Sequence, residues 1–211
     1  MIDLDDGIQK WQDMPRNNAE ELAKADDFFD FKLMPSSIEL FSERYASYDQ
    51  YDGMIFTVGT SWQPMALCIS ALKPHKICFI CTEQTKRQIN RLEQFIDLAG
   101  FDYNVEIIDR SSADDIYRIA NKTFESWGND NSSYAVDITG GTKAMASSLA
   151  MYAAVNGYDV FYVESTYLPL YRRPLPGSEK LVKLDIPARC FGETQRAYYG
   201  RGRQAEEVSE R

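Results

Sequence analysis

The stretch Tyr134-Ala135-Val136-Asp137-Ile138-Thr139-Gly140-Gly141-Thr142-Lys143-Ala144-Met145 decides how this chain is read. It opens as a short apolar strand and runs into an alanine-rich helix that reaches Asn156. Two glycines, two threonines and a lysine lie between them. Glycine lets the backbone approach a ligand closely and take positive φ. The first turn of a helix offers unpaired N–H groups and the positive end of the macrodipole. The segment therefore reads as an anion site at a strand-to-helix turn. Lys143 supports this, because a lysine in a first helical turn opposes the macrodipole and a bound anion removes the conflict.

Working outward, the chain alternates short apolar strands with amphipathic helices from Gly53 onward. Strands are expected over 54–58, 77–81, 104–108, 134–138 and 158–163, and helices over 63–72, 84–99, 112 or 113 to about 128, and 144–156. Gly157 follows the last helix as its C-cap. This order predicts an α/β fold, a Rossmann-like, mostly parallel sheet flanked by helices. Beyond Glu164 the pattern changes. Residues 167–171 and 180–184 flank a turn at Pro176-Gly177 and predict a C-terminal antiparallel β-hairpin arm. Residues 1–52 read as an acidic extension or linker with short helices over 19–29 and 38–45. Residues 53–187 read as the Rossmann domain. Residues 188–211 read as a C-terminal helix and tail leading toward a further module.

In an open α/β sheet, ligands bind beyond the carboxyl ends of the strands. Three turns share that edge: Gly59-Thr60-Ser61-Trp62-Gln63, Thr82-Glu83-Gln84, and Thr139 through Met145. Their hydroxyls and amides, with one lysine, suit phosphate and ribose. Plainer roles compete at several positions. Thr60 or Ser61 can cap the first helix. Trp62 reads equally as a core or interface ring, Met145 as helix packing, and Lys143 by itself as a solvated surface lysine.

The strand and turn Phe56-Thr57-Val58-Gly59-Thr60-Ser61 with Gln63-Pro64, and the segment from Asp137 to Met145, resemble a CARF domain, the CRISPR-associated Rossmann-fold sensor of type III CRISPR systems. Ala71-Leu72-Lys73-Pro74 and Pro176-Gly177-Ser178-Glu179 add to the resemblance, which spans roughly 53–187. It implies binding of a cyclic oligoadenylate, most often the tetra-adenylate, across a homodimer, with an effector switched by that ligand. Two-fold symmetry of ring and dimer would match. On this reading Gly140, Gly141, Thr142 and Lys143 face the phosphates, and Gly59, Thr60, Ser61, Gln63, Thr82, Thr139 and Met145 complete the pocket. Trp62 stacks on an adenine, an interaction worth roughly 1–3 kcal/mol per base. Some relatives also cut the ring without metal, by attack of a ribose 2′-OH on the adjacent phosphate. Lys143 and Ser61 are the candidates for that chemistry. His75, the only histidine, precedes the second strand at the opposite edge. It also cannot supply the Arg-x(4–6)-His pattern of a HEPN ribonuclease, so an effector module is expected outside this chain, on either side.

Composition narrows the alternatives. The formal charge of −9 argues against general nucleic-acid binding. Most of it lies in residues 1–52, which carry 13 acidic and 5 basic side chains. Among these, Asp26-Asp27-Phe28-Phe29-Asp30 reads as a solvated run. Cys78 and Cys81 have C-x-x-C spacing but sit inside a strand, and with Cys68 and Cys190 they read as free thiols in a reducing cytoplasm. No metal and no cofactor is expected. No apolar run reaches membrane-spanning length, and no signal peptide is present. A mononucleotide or dinucleotide enzyme is disfavoured, because neither G-x-G-x-x-G nor G-x-x-x-x-G-K-[ST] occurs.

Overall fold

A computed structural model describes residues 3–109, 112–128 and 132–185. The remainder of the expected domain and the tail, including Cys190, lies outside the described residues. The chain opens with α1 (Leu4–Gln12) and α2 (Ala19–Phe28). A π-helical turn over Phe29–Leu33 leads without a break into α3 (Met34–Arg44). Then β1 (Gly53–Thr57), α4 (Gln63–Leu72), β2 (Lys76–Cys81), α5 (Arg87–Leu92), β3 (Asp102–Ile107), α6 (Ala113–Trp127), β4 (Tyr134–Asp137), α7 (Lys143–Asn156) and β5 (Asp159–Glu164) follow in the alternation expected. The first five strands are parallel in the order β3-β2-β1-β4-β5. This is the Rossmann-like fold the periodicity predicts.

Alternation along the strands makes two cores, one on each face of the sheet. Met54 and Phe56 of β1 face one side, and Ile55 faces the other. Ile55, Ile80, Val136 and Val160 pack under α6 and α7, through Ile116, Ile119, Phe124, Leu149 and Ala153. Cys78 and Cys81, three residues apart on β2, fall on opposite faces and in different cores.

The first face shows what the acidic N-terminal segment does. Helix α4 was expected to bury one stripe, yet Met65, Ala66, Leu67, Cys68, Ile69 and Leu72 are all buried. A helix apolar all round needs cover on both sides. The sheet supplies one side, and α3 packs against the other. Trp11, Phe29, Leu33, Met34 and Phe41 are fully buried in the same core as Phe56 and Phe79. Where the sequence pointed to an extension, the structure has helices that roof the sheet. The two short helices expected there belong to one continuous helical run from Ala19 to Arg44. The π turn accommodates Pro35, which cannot donate an intrahelical hydrogen bond, and Met34 N–H reaches back to Phe29 C=O.

Two other expectations are corrected. The helix expected over 84–99 is only Arg87–Leu92, flanked by turns and a 3-10 segment at Leu98–Gly100. Thr82 and Thr85 close the turn before it by exchanging backbone-to-hydroxyl hydrogen bonds of 3.0 and 3.3 Å. The expected C-terminal antiparallel hairpin is present, but 167–171 does not pair with 180–184. Instead β6 (Tyr167–Leu168) pairs with β7 (Arg173–Pro174), and β8 (Lys180–Lys183) joins β5 antiparallel at the sheet edge. This pairing satisfies the open edge of β5 and buries Leu181. The Pro176-Gly177 turn is present, with Gly177 at φ 83°, but it connects the small hairpin to β8.

The roof is locked to the sheet by Asp30, in the π turn. This residue is 6% exposed, not solvated as the acidic run suggested. Its carboxylate accepts from Gln63 Nε2 at 3.1 Å and Arg91 at 3.0 Å, and lies 3.8 Å from Arg173. Arg173 also pairs with Asp26 at 2.8 Å and lies over the Phe29 ring. Removing one member of a buried charge cluster leaves the others unpaired. Asp30→Ala is therefore expected to lower unfolding free energy by about 2–4 kcal/mol in urea titrations. Glu20→Ala, which breaks an exposed i,i+4 pair with Lys24, should change it by less than about 0.5 kcal/mol.

Candidate functional site

The candidate site lies at the carboxyl edge of the sheet, where β1 and β4 are neighbours. The turns that leave these strands touch backbone to backbone. A Cβ on Gly59 would come within 2.8 Å of Gly141 N. A Cβ on Gly140 would run into Thr57 C=O and sit 2.7 Å from Gly59 N. Thr57 Oγ1 donates to Gly140 C=O at 2.8 Å, and Gly141 takes φ 75°. The glycines were expected to admit a ligand. They first admit each other's turn.

Asp137 anchors the next part of the edge. Its carboxylate accepts from Thr139 N–H at 3.2 Å and from the Thr139 hydroxyl at 2.8 Å. That hydroxyl in turn accepts from Val163 N–H at 2.8 Å, which ties the end of β4 to β5. Thr139 is thus a structural link as well as a wall residue. Asp137 is wholly buried, and loss of solvation pushes its carboxyl up to about 7, with the Thr139 and Cys68 hydrogen bonds pulling the other way. Burial also raises the adjacent Cys68 thiol.

Helix α7 then begins as the sequence implied, one residue earlier. Thr142 caps it by accepting from Met145 N–H at 3.3 Å. Thr142, Lys143 and Ala144 are exposed. Helices α1, α2 and α6 each carry two acidic residues in their first turn, whereas α4 and α7 carry none. The two helices that start at this edge therefore keep their positive ends uncompensated.

Several expected ligand groups are engaged elsewhere. Trp62 is 3% exposed and stacked on Phe95, with centroids 3.9 Å apart and planes 8° apart, so this ring face is closed to a base. Met145 is 1% exposed and packs in the core under α7. Gln63 is buried and donates to Asp30. The Thr82 hydroxyl is held by Thr85. Thr60 and Ser61 do not cap α4, whose N-terminal residue Trp62 makes no side-chain cap bond, and both remain exposed.

Two cavities flank Gln63 and Arg173, and Ser61 lines both. One, about 350 Å³, has Thr60, Arg87 and Arg91 among its walls. The other, about 310 Å³, reaches Thr139, Tyr162 and Arg172. Lys143 and the glycines line neither. The arginines are not singled out by the sequence, and Asp30 reads there only as part of a solvated run. The only signal was the Arg172-Arg173 pair ahead of Pro174, inside what read as an arm.

With this geometry in place, comparison with known proteins is decisive for the family. The Card1 CARF domain family model matches residues 66–173, slightly more than half of the chain and including the turn from β4 to α7. The chain belongs to the CARF family. It is also 28% identical over 218 residues to the CRISPR system endoribonuclease Csm6 of Thermus thermophilus, an alignment covering 96% of this chain and 44% of that protein. The chain thus spans less than half the length of that curated relative. Among solved structures, Can2 from Sulfobacillus thermosulfidooxidans in complex with cyclic tetra-adenylate superposes with a TM-score of 0.48 at 18% identity, over 56% of this chain and 32% of that one. Csm6 of Enterococcus italicus bound to cyclic hexa-2′-fluoro-hexa-dAMP gives a TM-score of 0.48 at 12% identity, over 65% and 43%.

Two tests follow from this CARF edge. Gly140→Ala should cost about 3 kcal/mol or more in urea unfolding, because backbone atoms oppose the new methyl group. Gly100→Ala, which meets open space, should stay within about 1 kcal/mol of the parent. The second concerns pH. The fold holds the Asp137 carboxyl at about 7, above its ordinary 3.8, so folding favours the protonated acid. That contribution is complete below about pH 4 and is lost as pH rises through about 7. The stability difference between the parent and Asp137→Asn should therefore move against the parent from pH 4 to 7.5. A difference that stays flat across that range would remove the buried-acid assignment.

Proposed function

We propose that this CARF domain is a sensor that binds a cyclic oligoadenylate, cyclic tetra-adenylate foremost, across a homodimer and switches an effector in type III CRISPR antiviral defence. The observation that carries the reading is the turn from β4 into α7. Thr142 and Lys143 stand exposed at a helix start with no acidic residue in its first turn, on the sheet edge where this fold takes ligands. The Lys143 ammonium has no hydrogen-bond or ion-pair partner among the described residues and is open to a phosphate.

The solvent face of α7 supports the dimer. Ala144, Ser147 and Met151 lie along it, and Met151 is 60% exposed. Small residues followed by an unpartnered apolar side chain suit close packing against a second copy. Two copies related by a two-fold axis along this face would bring two Lys143 turns to one ring. Ser61 and Lys143, assigned to ring cutting if it occurs, are both exposed.

Calorimetry with cyclic tri-, tetra- and hexa-adenylate tests the reading. Binding is expected at one ring per two chains. Lys143→Glu should abolish it without unfolding the protein, because the new carboxylate opposes the phosphates while the side chain is exposed and an acidic residue suits a first helical turn. Normal binding by that variant would refute the placement of the ligand. Linear products after incubation with labelled ring would identify a ring nuclease using the same edge.

A further inference from the structure

We propose that Arg172 contacts the ligand directly, and that the 310 Å³ cavity between the β6–β7 hairpin and the start of α4 holds one nucleotide unit of the ring. The phosphate would sit on the Arg172 guanidinium and the base against Tyr162 and Tyr167. This rests on the reading of the domain as a cyclic oligoadenylate binder, and it adds a wall that the strand-end turns do not supply.

The backbone of Arg172 is the first observation. It lies at φ 52°, in the left-handed region. A side chain there costs roughly 1–2 kcal/mol, which glycine avoids. Lys73 is the other non-glycine residue at positive φ among the described residues, and its conformation is that of the left-handed cap closing α4. Arg172 closes a four-residue hairpin loop, with its N–H directed to Pro169 C=O at 3.4 Å. A glycine would make that turn without strain, so the turn alone does not account for an arginine.

The second observation is charge. Arg173, the next residue, is held by Asp26, Asp30 and the Phe29 ring. Arg172 is exposed and lines the cavity, and its guanidinium makes no hydrogen bond or ion pair among the described residues. It is the cation of this wall that an incoming anion can engage without displacing a carboxylate. The opposite wall begins α4, which has neither a side-chain cap nor an acidic first turn. The guanidinium and the start of α4 therefore favour negative charge, against one carboxyl group in the lining, the buried Glu179.

The third observation is the rim. Tyr162 and Tyr167 are 41% and 58% exposed, and both line the cavity. Exposed rings beside an unpaired guanidinium suit a base next to its phosphate. The ring face lost at Trp62 is thus replaced from the hairpin. Thr139 and Ser61 complete the polar lining and join this cavity to the edge described above.

The test is titration of the 211-residue chain and its Arg172→Gly and Arg172→Lys variants with cyclic tri-, tetra- and hexa-adenylate over a salt series, with urea unfolding of each. Arg172→Gly relieves the backbone, so it should unfold at equal or higher urea than the parent. It should nevertheless bind roughly ten- to a hundredfold more weakly, with a shallower dependence of log Kd on log salt. Arg172→Lys keeps the charge and should retain binding within about tenfold. A residue with only a structural role would not weaken binding while raising stability. If the parent binds and Arg172→Gly binds within about twofold with the same salt slope, the assignment of Arg172 is overturned and the sensor reading stands. If the parent binds none of the three ring sizes, the sensor reading fails and this subsite fails with it.

Discussion

The contact on which the rest of the molecule depends is between two turns with almost no side chains. Gly59 after β1 and Gly140-Gly141 after β4 approach at distances a Cβ would forbid, and the Thr57 hydroxyl closes the gap by bonding Gly140 C=O. This contact sets the starts of α4 and α7 side by side. From there the Asp137–Thr139–Val163 chain carries the order on to β5. The edge is therefore one connected hydrogen-bonded rail. Its backbone turns are fixed by these bonds.

Charge is arranged around this rail by pairing. The acidic surplus of the first 52 residues lies partly against the arginines that α5 and β7 bring to the same edge. Asp30 is the centre of that arrangement. A lone buried carboxylate would be costly, and here two guanidiniums and an amide compensate it. Once those pairs are made, Lys143, Arg87 and Arg172 remain as cations without a carboxylate partner among the described residues. Charge carried far from the β4 turn in sequence thereby helps select which cations a ligand meets.

Much of the fold was legible. Helix α4 has the predicted bounds, and the parallel strands lie within a residue or two of expectation, because each combines a local period with glycine or proline punctuation. The failures have physical causes. The apolar pattern over 84–99 fits a helix, but the reciprocal Thr82–Thr85 bonds hold the preceding turn and Phe95 is drawn onto Trp62. The 180–184 segment reads as a hairpin partner, yet the unpaired edge of β5 is the stronger demand. At the candidate site, type and spacing single out Lys143, Thr142 and the glycines, whereas the occupied faces of Trp62, Gln63 and Thr82 depend on neighbours that the folded chain supplies.

The amino-acid sequence by itself determined the alternating architecture, the glycine turn that opens α7, and the membership of the family, because these reside in short windows where backbone preference and periodicity act. Only the tertiary structure decided that an acidic leading segment roofs the sheet, that Asp30 meets Arg91 across 61 positions, and that Arg173 meets Asp26 across 147. Such pairings reflect which polar groups must be satisfied once the core has closed. No local window contains both partners, so the cavity they frame becomes visible only when the chain is folded.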